Sequence, residues 1–273
     1  YLLGKAAAAL TSAGIGVGVA VKYGESPLVT VSAAVAAMVG GYAGKINGGT
    51  FFVDGNAVLA GPGEPLGAFI AAFAGITCGH LVSGKTKVDI IVTPVITIGA
   101  GSVVGLLVGP PISQMMTGLG SIINWATEQR PFIMGIVVSV VMGMVLTLPI
   151  SSAALGIILN LSGLAAGAAT IGCCCNMVGF AVASYRENKF GGLVAQGLGT
   201  SMLQVPNIMR HPLIWLPVIF SSAILGPVST ILANMQNNAT GSGMGSAGLV
   251  GQITTYQTMI AYDDPKLVII KII

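Results

Sequence analysis

Residues 163–184 read Gly-Leu-Ala-Ala-Gly-Ala-Ala-Thr-Ile-Gly-Cys-Cys-Cys-Asn-Met-Val-Gly-Phe-Ala-Val-Ala-Ser and contain no charged side chain. A helix that crosses the hydrocarbon core of a bilayer needs about 20 predominantly apolar residues. Small residues recur through the run, and such residues let the backbones of membrane helices approach closely. The run therefore predicts a membrane-spanning helix that packs tightly against its neighbours.

The composition of the whole chain agrees with this prediction. Apolar residues make up 54% of the 273 positions and charged residues only 7%, whereas a soluble domain carries roughly 25% charged residues. So few charges cannot cover a water-exposed surface of this size. Glycine contributes 40 residues, many of them inside apolar runs.

Seven apolar runs are candidate membrane spans, and short polar links such as Lys22 to Pro27 separate them. They are interpreted together as a single transmembrane domain over residues 1–273. The chain begins inside an apparent helix, without an initiator methionine, and ends on an apolar run, so both ends are expected to be truncated. The candidate spans are residues 6–23, 28–44, 65–83, 89–109, 131–150, 163–184 and 213–233.

Four further stretches are apolar enough for membrane depth but are interrupted by proline, glycine and polar residues: 45–65, 110–127, 146–160 and 197–212. Unpaired backbone at membrane depth is tolerated only where protein buries it or where it lines a wet cavity. Transporters aim such broken helices at their substrate; the alternative is that each stretch is a structural kink. We predict an all-α, polytopic transmembrane bundle with broken or re-entrant helices.

Three of these irregular regions carry more specific expectations. Residues 110–127 place apolar side chains at helical spacing, as an amphipathic helix along the membrane plane would. Residues 149–160 and 199–206 are expected to meet around one internal cavity. The glycine- and amide-rich residues 234–249 are interpreted as a flexible loop, with a second backbone lining of a cavity as the alternative.

The polar side chains of the broken stretches are candidate substrate ligands. Ionisable groups in the bilayer are costly and commonly face a cavity, and uncharged amides suit neutral hydroxylated ligands. The alternatives are loop positions for the carboxylates, with Glu64 beside a helix N-terminus, and interhelical hydrogen bonds for the amides. These candidates are Asp54, Glu64, Asn160, Gln204 and Asn207. The same two interpretations, ligand or interhelical partner, apply to the amides Asn176 and Gln196.

Several other classes of function lack support in the sequence. The net charge of +3 is scattered, with no basic stripe for nucleic acid. Cys173, Cys174 and Cys175 are adjacent and lack the spacing of a metal site, so packing is the better interpretation. No P-loop, G-x-S-x-G or H-E-x-x-H motif occurs. We therefore expect no catalytic residue, metal or cofactor.

Four motifs occur in a characteristic order. They are Gly63-Glu-Pro-Leu-Gly-Ala-Phe-Ile-Ala-Ala-Phe-Ala-Gly75, Val104-Gly-Leu-Leu-Val-Gly-Pro-Pro111, Leu148-Pro-Ile-Ser-Ser-Ala-Ala154 and Gly199-Thr-Ser-Met-Leu-Gln-Val-Pro206. Their order, within residues 28–228, resembles the membrane-spanning IIC component of bacterial phosphotransferase-system sugar transporters, especially the fructose type. Residues 47–56 and 172–180 look more like a stand-alone subgroup of IIC-like proteins or perfringolysin-type toxin regulators.

The chain departs from this family where the family carries charge. The family's Asn-Lys pair falls on Ser151 and Ser152, and its Glu, a presumed sugar ligand, falls on Met202 beside Ser201. The resemblance thus adds Asn56, Ser151, Ser152 and Ser201 to the candidate ligands. The sequence contains no IIA or IIB domain and so no phosphoryl donor.

The resemblance implies a transporter that binds a small polar solute, a sugar or sugar-like compound, between broken helices and moves it by alternating access. It also implies a homodimer in the lipid of the bacterial plasma membrane, with separate IIA and IIB proteins as candidate partners. The alternatives are a secondary transporter or channel without phosphorylation, and a membrane sensor or regulator that binds a solute.

Overall fold

The computed structural model describes residues 2–53, 56–59 and 63–272 and is mostly helical. The candidate ligand Asp54 lies outside these ranges. Within them the strands are limited to an antiparallel pair, Phe52–Val53 (β1) and Asn56–Ala57 (β2), with Phe52 opposite Ala57. The all-α prediction is therefore confirmed. Backbone contacts divide the chain into two compact units, residues 1–117 (unit 1) and 118–273 (unit 2).

The apolar helices agree well with the predicted spans. Two apolar helices of 15 and 17 residues, Pro27–Gly41 and Pro131–Thr147, match predicted runs. The run at residues 6–23 is divided between Leu2–Ala9 (α1) and Thr11–Tyr23 (α2). Four segments in the described part are long and apolar enough to cross a bilayer: Pro65–Val82, Asp89–Thr127, Gly163–Ala183 and Pro212–Leu232.

Unit 1 is held together by backbone-to-backbone helix contacts. Besides α1 and α2 it contains α3 (Pro27–Gly41), α4 (Ala43–Asn47), α5 (Pro65–Val82) and the larger part of α6 (Asp89–Thr127). A Cβ atom on Gly40 would clash with the carbonyl group of Gly67, and one on Gly75 would lie 2.6 Å from the carbonyl oxygen of Thr97. Small residues thus let α3, α5 and α6 pack closely, as membrane helices do.

Helix α6 corrects one expectation from the sequence. We expected a break at Pro110, but α6 continues through Pro110 and Pro111 to Thr127. Proline removes the hydrogen bond to the carbonyl four residues earlier, which here belongs to Leu106. The side-chain amide of Asn47 donates to that carbonyl at 3.0 Å. The carbonyl freed by Pro110 therefore keeps a hydrogen-bond partner within unit 1.

Unit 2 contains the remaining α-helices, together with turns of π-helix and of 3₁₀-helix. Its α-helices are α7 (Pro131–Thr147), α8 (Ser152–Ile158), α9 (Gly163–Ala183), α10 (Tyr185–Val194), α11 (Val205–Arg210), α12 (Leu216–Pro227), α13 (Ala239–Ser242), α14 (Val250–Met259) and α15 (Pro265–Ile272). Turns of π-helix occupy Ala195–Gly199 and Val228–Leu232, and 3₁₀ turns occupy Ser201–Gln204, Pro212–Trp215 and Ala247–Leu249.

Helix α9, the uncharged run of small and apolar residues, is the most buried helix of unit 2. Its glycines are the sites of closest approach. A Cβ atom on Gly172 would clash with the carbonyl of Ser139 on α7, and one on Gly167 would clash with the carbonyl of Met235. The small residues of α9 therefore set its distance from both neighbours.

Two of the stretches predicted to be broken are indeed broken. After α7 ends at Thr147, Leu148 is extended, and the short helix α8 begins only at Ser152. The chain after α10 winds through a π turn, an extended Thr200 and a 3₁₀ turn before α11. Such irregular backbone leaves polar groups that side chains or the rest of the protein must satisfy.

The loop favoured for residues 234–249 is wrong. Asn237, Ser242 and Ser246 are buried there. The side chain of Asn237 donates to Thr170 Oγ1 at 2.8 Å and to the carbonyl of Gly251 at 3.2 Å. Polar residues and glycines here fill space beside α9 rather than forming an exposed connection.

Candidate functional site

Asn176, in the middle of α9, is the centre of a buried hydrogen-bond network. Its Oδ1 accepts from Thr147 Oγ1 at 3.2 Å and from the indole Nε1 of Trp215 at 3.1 Å. Its Nδ2 donates to the carbonyl of Gly172 at 3.1 Å and to Ser222 Oγ at 3.2 Å. The amide thus connects α7, α9, α12 and the 3₁₀ turn before α12.

The Asn176 network reaches both broken stretches. Thr147 is the last residue of α7, where the first break begins, and its hydroxyl lies 3.0 Å from the hydroxyl of Ser201 in the second. Ser201 was a candidate ligand, whereas Thr147, Trp215 and Ser222 were missed. Only the uncharged polar residues within apolar runs could have pointed to them, and that signal is weak.

A chain of amide side chains runs through the second broken stretch. Gln196 Nε2 donates to Ser184 Oγ at 2.7 Å, and Gln204 Nε2 donates to Gln196 Oε1 at 2.8 Å. Asn207 Nδ2 then donates to Gln204 Oε1 at 2.9 Å. Gln196 and Gln204 are buried, while Asn207 is exposed. The structure therefore brings the candidates Ser201, Gln204 and Asn207 together on one short segment.

Ser151 and Ser152 begin α8 and are both buried. Ser151 Oγ accepts from the backbone amide of Ala154 at 3.2 Å, which caps the helix. Ser152 Oγ donates to the carbonyl of Gly243 at 2.6 Å. The region 234–249 thus packs against α8, and it also reaches the π turn, because Ser246 Oγ donates to the carbonyl of Gly197 at 2.6 Å.

Asn160 lies at the other end of the first broken stretch. Its φ is +48°, a left-handed conformation that asparagine tolerates better than most residues. It lines an open pocket of about 460 Å³ in unit 2. The other lining residues are Asn124, Thr127, Gln129, Pro131, Met134, Leu159, Leu161, Ser162, Leu164 and Ala165.

The two remaining described candidates belong to unit 1, whereas those above belong to unit 2. Asn56 is an exposed residue of β2. Glu64 is half-buried and directly precedes α5, and its backbone amide donates to the carbonyl of Gly41 at 2.7 Å. Glu64 therefore lies beside a helix N-terminus, as one of its two sequence interpretations expected.

The polar residues that are buried in the described part of unit 2 are uncharged: they are serine, threonine, asparagine and glutamine. No group of three or more histidine, cysteine, aspartate and glutamate side chains converges there. Hydroxyls and amides both donate and accept hydrogen bonds. This chemistry suits a neutral hydroxylated molecule better than an ion.

The family model for the phosphotransferase system EIIC matches residues 1–273. No curated protein and no solved structure matches the chain significantly. The resemblance seen in the ordered motifs is thereby confirmed at the level of the family, while the fructose-type and subgroup assignments stay predictions. The chain therefore belongs to the EIIC family of the phosphotransferase system and is a membrane component of a PTS-type sugar transporter.

Proposed function

We propose that this EIIC chain binds a small neutral hydroxylated solute, a sugar or sugar-like compound, and carries it across the membrane without phosphorylating it on its own. The observation that carries the proposal is the uncharged character of the buried polar residues around the two breaks. A cluster of hydroxyls and amides recognises other hydroxyls through neutral hydrogen bonds.

The proposed ligands are the candidates of the broken stretches. Asn207 is the exposed end of the amide chain, and its Nδ2 is already donated to Gln204, so its Oδ1 is available to accept from a solute hydroxyl. Ser201 and Ser152 now bond within the protein and would exchange those partners for the solute during transport. The other proposed contacts in unit 2 are Ser151 and Asn160. Solute binding by Asn56, Glu64 or Asp54 stays a prediction from the sequence.

The family's charged ligands are absent from the matched positions. Met202 stands at the position of the family's Glu, and Ser151 and Ser152 stand at that of its Asn-Lys pair. Charge-assisted hydrogen bonds are roughly twice as strong as neutral ones, so binding should be weak. Phosphoryl transfer also needs a positioned donor and charge stabilisation, which these residues do not supply.

Transport into liposomes tests the proposal. The purified chain is reconstituted, and labelled sugars and polyols are added with and without a phosphorylated IIB protein. We expect unmodified solute inside the vesicles in both conditions. Sugar phosphate that forms only with the IIB protein would overturn the unphosphorylated mechanism. Binding without uptake would instead favour a solute sensor.

The same proposal places a homodimer of the chain in the bacterial plasma membrane as a multi-pass protein, with IIA and IIB as separate partners. Cross-linking in native membranes tests the dimer. We expect a cross-linked species of twice the monomer mass. This species should persist when the membranes are fused with excess lipid, which dilutes the protein. A monomer alone under those conditions would contradict the dimer.

A further inference from the structure

The pocket that contains Asn160 is built from four parts of unit 2. It lies among the last turn of α6, the α6–α7 link, the first turn of α7, and the chain from Leu159 into α9. None of these parts contributes to the Asn176 network or the amide chain. The pocket is therefore a separate feature of the unit.

The pocket has an apolar floor and a polar rim. Met134, Leu161 and Ala165 are buried and form the floor. Asn124 and Asn160 are exposed at the rim. A sugar has the matching character, because its C–H faces pack on apolar groups while its hydroxyls bond to amides. The volume of the pocket, about 460 Å³, lies within the usual range of small-molecule sites, roughly 300–1,000 Å³.

The polar side chains at the rim of the pocket make no hydrogen bonds to the other described parts of the protein. Within the described ranges, the side chains of Asn124, Asn160 and Ser162 have no protein hydrogen-bond partner. Ser162 precedes α9 without capping it through its side chain. Two amides and a hydroxyl therefore converge on the pocket with their donors and acceptors free for a ligand.

The lining carries no charge. Glu128 and Arg130 flank Gln129 in the α6–α7 link, but both are exposed and neither lines the pocket. A charged ligand would find no counter-ion on these walls. The chemistry of the lining selects for a neutral molecule.

Helix α8 connects this pocket to the buried break. Asn160 follows the C-terminal end of α8, and Ser151 and Ser152 lie at its N-terminal end. With seven residues and a rise of 1.5 Å per residue, α8 is about 10 Å long. A solute in the pocket would thus lie one short helix away from the serines proposed as ligands.

We propose that this pocket is an access site at which the neutral sugar or polyol binds before or after it passes the buried break. The inference rests on the proposed function for the identity of the solute. The pocket itself supplies the location, the neutrality and the three side chains that hold the solute: Asn124, Asn160 and Ser162.

The test uses the full chain purified in detergent and a panel of hexoses, polyols and disaccharides, with binding measured by calorimetry. The double variant Asn124→Ala/Asn160→Gly removes both rim amides, and glycine tolerates the positive φ at residue 160. Asn234→Gly is the matched control, because Asn234 is also exposed with a positive φ of 45° but lies outside the pocket. Ser162→Trp fills the pocket independently.

We expect the double variant to raise the Kd of the bound sugar about tenfold, since two neutral hydrogen bonds are lost. Ser162→Trp should abolish the binding that is assigned to this pocket, and Asn234→Gly should bind like wild type. Elution volume and thermal stability confirm that each variant is folded.

The outcomes separate this inference from the proposed function. If wild type and all variants bind a sugar equally, the access site is refuted while solute binding stands. If wild type binds no member of the panel, the proposed function fails and the access site fails with it. A lipid that Ser162→Trp displaces, with sugar binding unchanged, would identify a lipid site and overturn the inference.

Discussion

Replacing Asn176 with alanine should remove the centre of the buried network while leaving most of its members with another partner. Thr147 keeps its contacts with the carbonyl of Gly143 at 3.2 Å and with Ser201 at 3.0 Å. Ser222 still donates to the carbonyl of Val218 at 2.9 Å. The indole N–H of Trp215 alone loses its one acceptor in the described structure.

The magnitude follows from that single orphaned donor and the lost packing. Interhelical hydrogen bonds in membranes average about 0.6 kcal/mol and reach about 1.7 kcal/mol, so the Trp215 contact contributes about 1 kcal/mol. Asn176 is fully buried, and truncating a fully buried side chain adds a cavity cost of about 1–2 kcal/mol. We expect Asn176→Ala to lower the free energy of unfolding by about 2–3 kcal/mol.

A double-mutant cycle isolates the hydrogen bond. Trp215→Phe keeps an aromatic side chain, although a smaller one, and removes the donor, so in this background Asn176→Ala should cost about 1 kcal/mol less than in wild type. Unfolding is followed by circular dichroism in mixed micelles against added denaturing detergent. Asn188→Ala, at an exposed position of α10, is the control and should change stability by less than about 0.5 kcal/mol. Additive effects of the two network mutations would refute this account of the contact.

Three further predictions concern helix packing, the proline-bearing helix and transport. Gly172→Ala should destabilise the protein by more than about 3 kcal/mol, because the new Cβ atom would clash with the backbone of α7. Gly118→Ala is the control and should be neutral, because its Cβ atom would meet open space. Thermal unfolding of both variants measures the difference. Asn47→Ala should lower the free energy of unfolding by about 1 kcal/mol in wild type, because the Leu106 carbonyl loses its donor. The same change should cost nothing in Pro110→Ala, where the restored backbone amide of residue 110 donates to that carbonyl. Equal losses in both backgrounds would contradict the role of Asn47. Gln204→Leu breaks the amide chain and should reduce solute uptake into liposomes about tenfold with the protein still folded; unchanged uptake would remove the amide chain from the proposed path.

The candidate ligands were predicted with uneven success. Gln204 and Asn207 could be chosen from sequence because amides stand out in a proline- and glycine-broken apolar stretch, and the structure joins them in one chain of hydrogen bonds. Whether they bind solute stays a prediction. Asn176 and Trp215 carry the same kind of polar signal, but nothing local distinguishes a side chain that bonds to three distant elements from one that binds a ligand.

Glycine and proline show the limit of local rules. The sequence predicted a break at Pro110 because proline frees a carbonyl, and that physical statement is correct. The helix nevertheless continues, and Asn47, far earlier in the chain, donates to the carbonyl that Pro110 leaves without its helical partner. Likewise, residues 234–249 have the composition of a loop, yet contacts with Thr170 and Ser152 bury them.

The sequence by itself determined the solvent and the class of fold. So few charges among so many apolar residues indicate a membrane protein. A chain in lipid must satisfy its backbone hydrogen bonds internally, and uninterrupted apolar runs of about 20 residues do so as helices. Composition and periodicity are properties of neighbouring residues, so they can be read directly. Only the tertiary structure decided which polar residues satisfy one another and which face a pocket. Asn176 meets Thr147 and Trp215, and Asn160 meets open space, because of how helices distant in sequence pack together.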